Sequence, residues 1–345
     1  MFYQTPLRTA VLLLFTLACI YAAFTAEYFG VEILTEIIIL AMIVLALDLV
    51  AGFGGMVSLC HGALAGVGAY IFAIFTAKLG LHPLLAMGIA ALITGAVSWV
   101  IGTICSKTHG IYFIMATLAF GQMAYSFVFE SSYLGGDNGM AGIPRLDLSM
   151  IGIDLFDSKQ FALLCLACLL VAYLFAWRIL TSGLGRSLVG IMHNEKRSRA
   201  LGQNVVQIKA QVFALSGLIL GLAGSLSAQH IMFISPNLLS WTHSGEALVI
   251  VILGGLGTLI GPIIGAAAFV LLKHEVSNYT DHWHLIVGII LIIVVMAGAR
   301  GIYGEIEHRI AKRCAKRVQK EQAPKQAKEK TKEHSLSHAG LKKEH

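Results

Sequence analysis

Stretches long and apolar enough to cross a lipid bilayer recur along nearly the whole of this chain, and they leave it few ways to fold. They lie near residues 8–26, 33–51, 61–78, 83–104, 111–130, 160–180, 208–230 and 282–299. A spanning α-helix needs about 20 apolar residues. With 57% hydrophobic and 13% charged residues, the chain carries about half the charge of a soluble domain, for which roughly 25% is usual. It lacks the polar surface to face water all round. The expected fold is therefore all-α, a polytopic transmembrane bundle of about 8–10 spans, some of them glycine-rich and broken. The first run, about Val11 to Ala26, is read as a retained helix. Its basic flank is only Arg8, and no convincing A-x-A cleavage site follows it.

Topology follows from where Lys and Arg gather. The tail 308–345 holds twelve of them and reads as a disordered cytoplasmic end. The segment 185–205, "GRSLVGIMHNEKRSRALGQNV", carries Arg186, Lys196, Arg197 and Arg199 against a single Glu195, so it belongs on the same side as a short helical segment. The 131–159 loop, with Asp137, Asp147, Asp154 and Asp157 against Arg145 and Lys159, suits the outer face. An even number of crossings must then separate 185–205 from the tail. Residues 208–230 and 282–299 supply two. The stretch 245–276, broken by Gly254, Gly255, Gly257, Gly261 and Pro262, must contribute none or two: a re-entrant pair of half-helices, or two short crossings. Broken backbone at membrane depth is tolerated only where protein or a water-filled cavity covers it, and such breaks point to a translocation path. "GGMVSLCHGALAG" (54–66) and "GGLGTLIGPIIGA" (254–266) echo each other, matching Gly54 to Gly254, Gly55 to Gly255, Ser58 to Thr258 and Leu59 to Leu259.

Few residues stand out as chemistry. Asp48 sits in an otherwise apolar run, where a central carboxylate costs about 2.5–3.5 kcal/mol on insertion scales; it is either a path residue or a helix-end cap. His61 opens a helix whose Gly62, Gly66 and Ala69 permit close helix approach, and it either hydrogen-bonds there or lines the path. Glu246 is favoured near a helix N-terminus by the helix dipole or serves as a gate. The turn-rich "SSYLGGDNGMAGIP" (131–144) reads as an ordered loop that docks a partner or merely connects. Cys165 and Cys168 form a C-x-x-C, but nothing around them builds a zinc or redox site, and they read as small packing residues. "HWH" (282–284) is a weak metal signal beside interfacial anchoring. No phosphate loop, H-E-x-x-H or G-x-S-x-G is present. No catalytic residue, metal or cofactor is expected, and the net charge of +6, gathered largely in the tail, gives no reason to expect nucleic acid.

Four motifs, "GGMVSLCHGALAGVGAY", "GGDNGMAGIP", "GRSLVGIMHNEKRSRALG" and "VILGGLGTLIGPIIGAA", follow one another in an order that resembles LivM-type permeases. These are membrane subunits of ABC importers for branched-chain amino acids in the LivH/LivM family, and the resemblance covers roughly 35–305. It implies an inner-membrane subunit with a permease domain over 1–307 and a cytoplasmic C-terminus. The implied partners are a second, LivH-like permease, two cytoplasmic ATPases and a periplasmic binding protein. It makes 185–205 the coupling segment that meets an ATPase through Asn194, Glu195, Arg199, Ala200, Leu201 and Gly202. A path bounded by Asp48, Ser58, His61, Gly254, Gly255, Gly257, Thr258 and Pro262 is expected, with Gly136, Asp137 and Asn138 docking the binding protein. Lys196-Arg197-Ser198-Arg199 departs from the more alanine-rich family pattern. The competing reading is a stand-alone channel for a small solute such as urea or an amide.

Overall fold

The computed structural model describes residues 6–146 and 155–280, together with 282, 285–289, 292, 301, 303 and 304. It is an all-α bundle. The long helices are α1 (Pro6–Thr25), α2 (Tyr28–Ala51), α3 (His61–Ala73, continued by a π-helical turn Ile74–Lys78), α4 (Pro83–Cys105), α5 (Ile111–Glu130) and α6 (Ser158–Thr181). Two short helices follow, α7 (Gly183–His193) and α8 (Glu195–Ala200), then α9 (Val205–Ile231), α10 (Trp241–Gly254) and α11 (Ile260–Tyr279). Seven of these are long and apolar enough to cross a membrane, with α10 a shorter apolar helix. Six of them match expected spans to within a few residues; the expected span at 61–78 is instead α3 with its π-helical turn, and α11, the seventh, lies in the stretch 245–276. The span expected at 282–299 and the tail 308–345 fall largely or wholly outside the described residues.

Capping chemistry sets several helix starts. Pro83 begins α4 behind His82, whose Nδ1 accepts from the Leu84 amide at 3.3 Å. Asp157 accepts from the Lys159 amide before α6, and Asn204 from the Gln207 amide before α9. Asn194 breaks the basic segment in two: its extended backbone ends α7, and its side chain accepts from the Arg197 amide at 3.0 Å to start α8. Side-chain oxygens of this kind satisfy amides that the first helical turn leaves orphaned.

The centre of the bundle is α2, with 78% of its apolar window buried. Beside it α3, α4 and α9 pack almost backbone to backbone. A Cβ on Gly221 would stand 2.6 Å from Ala91 Cα, and one on Gly224 2.0 Å from the Ala65 carbonyl oxygen. Small residues are the usual means of close association inside a membrane, where apolar surface alone gives no preference for helix over lipid. Leu13, Leu17, Leu92, Trp99, Met123 and Phe127 are exposed on α1, α4 and α5, which form the periphery.

The connections gather at two ends. At the basic end, α7 and α8 lie against the 52–60 loop and the α4–α5 turn: Gly54 and Gly55 pack under Leu188 and Met192, and Glu195 reaches His109. At the far end, Met140–Ala141 (β1) pairs antiparallel with Phe233–Ile234 (β2). There Arg145 donates to the Gln229 and His230 carbonyls at 3.1 and 3.2 Å, tying the long loop to the end of α9. The opposition of basic and far ends is the one that the charge pattern calls for. The stretch 245–276 resolves into two antiparallel helices, α10 and α11, joined by a tight turn at 255–259.

Candidate functional site

The loop and first turns of α3 traverse three environments in succession. Gly54, Gly55, Met56 and Val57 line a cavity at the basic end, with Thr108, His109, Phe113, Met192, Glu195 and Lys209. Ser58 and His61 are wholly buried. Gly62, Ala65, Gly66 and Ala69 then line a second cavity, together with Leu40 and Ile43 of α2, Gly224 and Ser227 of α9, and His243, Glu246 and Ala247 of α10. This cavity continues toward the far end past Glu36, His230 and Lys273.

Between the two cavities lies a layer of polar side chains whose hydrogen bonds join four helices. His61 Nδ1 is 2.9 Å from Ser58 Oγ, and its Nε2 is 3.0 Å from Ser216 Oγ on α9. The Leu59 amide donates to Thr117 Oγ1 on α5, and the Gly62 amide to Ser244 Oγ on α10. The edge of Phe213 abuts the imidazole, with ring centroids 5.1 Å apart. His61 thus lies inside the barrier and lines neither cavity. A buried polar group is expensive without partners, and each ring nitrogen of His61 has one.

Asp48 performs a second closure. Its carboxylate reaches from α2 into the turn between α10 and α11, accepting from the Gly257 amide at 2.7 Å and the Leu259 amide at 3.1 Å. Gly52 touches the same turn: a Cβ there would fall 2.4 Å from the Gly257 nitrogen. Thr258 accepts from the Gly261 amide and donates to the Gly255 carbonyl, so it caps α11 from within. Gly257 has φ +74°, a conformation that glycine adopts without steric cost. Gly254 lies on Gly261 and Pro262, where a Cβ would meet the Gly261 carbonyl oxygen at 2.0 Å. The turn of the second echoing segment therefore meets the chain at Gly52, two residues before the first one begins. Asp48 is thus held by backbone amides of a turn on another segment.

The residues of the basic segment divide by direction. Asn194, Arg199, Ala200, Leu201 and Gly202 are exposed, with Leu201 at 75%. Glu195 turns inward. Its Oε1 accepts from His109 Nε2 at 2.8 Å and Arg199 Nη2 at 2.6 Å, and its Oε2 from Lys209 Nζ at 2.8 Å. Burial raises the Glu195 pKa, but the hydrogen bonds from Lys209, His109 and Arg199 outweigh it and bring the carboxyl down to about 2. At the far end Asp137 and Asn138 are exposed on a short 3₁₀ turn begun by Gly136, between the positive-φ residues Gly135 and Gly139. Among the described residues no three His, Cys, Asp or Glu side chains are grouped to hold a metal.

A family profile described as the permease component of branched-chain amino acid transport systems matches residues 30–296. The chain belongs to this family. It is similar to the high-affinity branched-chain amino acid transport permease LivM of Salmonella typhimurium, 26% identical over 79% of this chain and 69% of that protein. LivM of Escherichia coli K12 is equally similar, 26% identical with the same coverage. The ribose import permease RbsC of Escherichia coli is 27% identical over 36% of this chain and 42% of its own length. No solved structure matches. As a member of this family the chain is a multi-pass membrane permease subunit of an ABC importer, a transport component.

Several residues of this permease's site had no sequence signal strong enough to find them. Thr117, Ser216 and Ser244 look like ordinary small polar residues within helices until the fold brings them to His61 and Gly62. Lys209 was detectable as a lone cation near the start of a span. Glu36, which bonds to Lys273 and His274 at 2.9 Å each, was detectable on the argument applied to Asp48.

Proposed function

We propose that this permease carries branched-chain amino acids into a bacterial cell across the inner membrane, powered by ATP hydrolysed in separate cytoplasmic subunits. The observation that carries the reading is the pair of cavities on opposite sides of one hydrogen-bonded layer. A carrier that alternates its access needs such a closed layer between two openings. The Ser58–His61 layer and the Asp48 clamp on residues 254–262 bound the path at its closure; the cavity beyond them admits the solute. The assembly comprises a second permease, two ATPases and a periplasmic binding protein, and ATP chemistry resides outside this chain. Residues 1–307 form the permease domain, and the lysine-rich 308–345 segment is cytoplasmic. The exposed tip at Ala200, Leu201 and Gly202 meets the ATPase; Gly136, Asp137 and Asn138 meet the binding protein. Each ligand acts by binding one access state better than the other.

The test is uptake of radiolabelled leucine into proteoliposomes holding the complete complex, with ATP available to the ATPases. Uptake that requires ATP and the loaded binding protein is expected. Passage of leucine, or of urea, through this chain alone without nucleotide would replace the importer by a channel.

A further inference from the structure

Glu195 belongs to the segment assigned to the ATPase, yet its carboxylate points into its own chain. We propose that Glu195 is a positioning residue: the tie through which movement of the coupling segment is passed to α9 and to the α4–α5 turn, and not an ATPase contact. The inference rests on the importer reading above.

Two cations and an imidazole, from three places, converge on this one carboxylate. Arg199 lies one turn on in α8, His109 in the α4–α5 turn, and Lys209 in the first turns of α9. Lys209 is the partner that makes the cluster more than a surface pair. Its side chain is 8% exposed, so removal of Glu195 leaves an ammonium buried without its carboxylate, whereas exposed pairs contribute little. The tie therefore resists rupture while α8 moves, and α9 moves with it. What α9 moves is fixed by the glycine contacts: Gly217 lies on Ser98 of α4, Gly221 on Ala91 of α4 and Gly224 on Ala65 of α3. The Gly221 and Gly224 contacts are with backbone atoms, with no flexible side chain to absorb a shift. Meanwhile α2, α10 and α11 are joined by Asp48. The cavity lined by Gly62, Gly66 and Gly224 on one side and by Ile43, Glu246 and Ala247 on the other lies between the two groups of helices. A pull on Glu195 thus displaces one wall of the solute cavity against the other. Glu195 and Lys209 also line the cavity at the basic end, so the same pull reshapes the exit.

The experiment uses the complete complex in proteoliposomes and measures leucine imported per ATP hydrolysed, together with stimulation of hydrolysis by the loaded binding protein. For Glu195→Gln, transport per ATP is expected to fall at least tenfold and stimulation to disappear, with ATPase subunits still co-purifying at wild-type stoichiometry. The exchange Glu195→Lys with Lys209→Glu is expected to recover at least a third of the wild-type ratio, and Lys209→Arg most of it; these variants keep the test open should Glu195→Gln fold poorly. A wild-type ratio in Glu195→Gln overturns the tie. Loss of the ATPase subunits from Glu195→Gln, with no recovery in the exchange, overturns it in favour of a direct contact. Absence of ATP-driven import by the wild-type complex overturns both this inference and the importer reading, whereas import by the wild type with an unchanged variant overturns this inference alone.

Discussion

Replacing Asp48 by Ala tests the clamp between α2 and the α10–α11 turn. The side chain is wholly buried and accepts from the Gly257 and Leu259 amides, and its truncation leaves both donors without this acceptor. A buried donor left unsatisfied costs about 1–3 kcal/mol, so two such donors cost about 2–6 kcal/mol, before any loss of packing. If the two bonds were instead as weak as the membrane average of about 0.6 kcal/mol each, the loss would be about 1.2 kcal/mol. Asp48→Asn keeps one acceptor oxygen and turns an amide N–H toward the other donor, so about half the larger loss is expected. The assay is reversible unfolding in mixed micelles on a rising mole fraction of SDS, with wild type and both variants compared at the same lipid content. A loss in Asp48→Ala below about 1 kcal/mol would refute the reasoning. So would equal losses in Ala and Asn, since the argument depends on counting acceptors.

Three further outcomes are expected. Gly52→Ala places a Cβ 2.1 Å from Asp48 Oδ1 and 2.4 Å from the Gly257 nitrogen; it is expected to destabilise by about 1–3 kcal/mol, the usual cost of overpacking, read in the same SDS titration. Leu201→Asp alters a side chain 75% exposed at the tip of the coupling segment, so it is expected to leave unfolding unchanged while ATPase co-purification falls at least tenfold. Glu195 has its pKa lowered on folding, so its pairing contributes fully above the ordinary carboxylate value of 4.5 and is lost as pH falls through about 2. Proteolytic protection of residues 194–204 is therefore expected to stay constant from pH 7 to 5 and to fall only below about pH 4.5; loss of protection between pH 7 and 6 would show that Glu195 does not hold the segment.

The bundle was legible in the sequence because bilayer thickness imposes one length on every spanning helix, and the runs at 83–104 and 111–130 match α4 and α5 within a residue. Charge parity left two options for 245–276, a re-entrant pair or two short crossings, and both require a helix–turn–helix there; the glycines at 254, 255 and 257 marked its turn. The break at Asn194 was not read, although Asn followed by an acidic residue is a local helix-start signal. What no local pattern carries is pairing across the fold. Asp48 and Gly257 are 209 positions apart, and His61 and Ser216 are 155 apart. The direction in which Glu195 points depends on Lys209 and His109, which lie on different elements. Arg145 was counted only as a loop charge, because its value as a cap for the Gln229 and His230 carbonyls exists only once β1 has paired with β2.

One helix has both faces of the membrane in its charge. α9 takes the ion pair from Glu195 of α8 at its first turns and the Arg145 staple of the far loop at its last, and its 27 residues span about 40 Å as a continuous rod. Any coupling that this rod carries between ligands bound at its two ends must have equal magnitude in each direction. An antibody fragment against the 131–146 loop that shifts the complex's nucleotide affinity would therefore have its own binding shifted by ATP by the same factor.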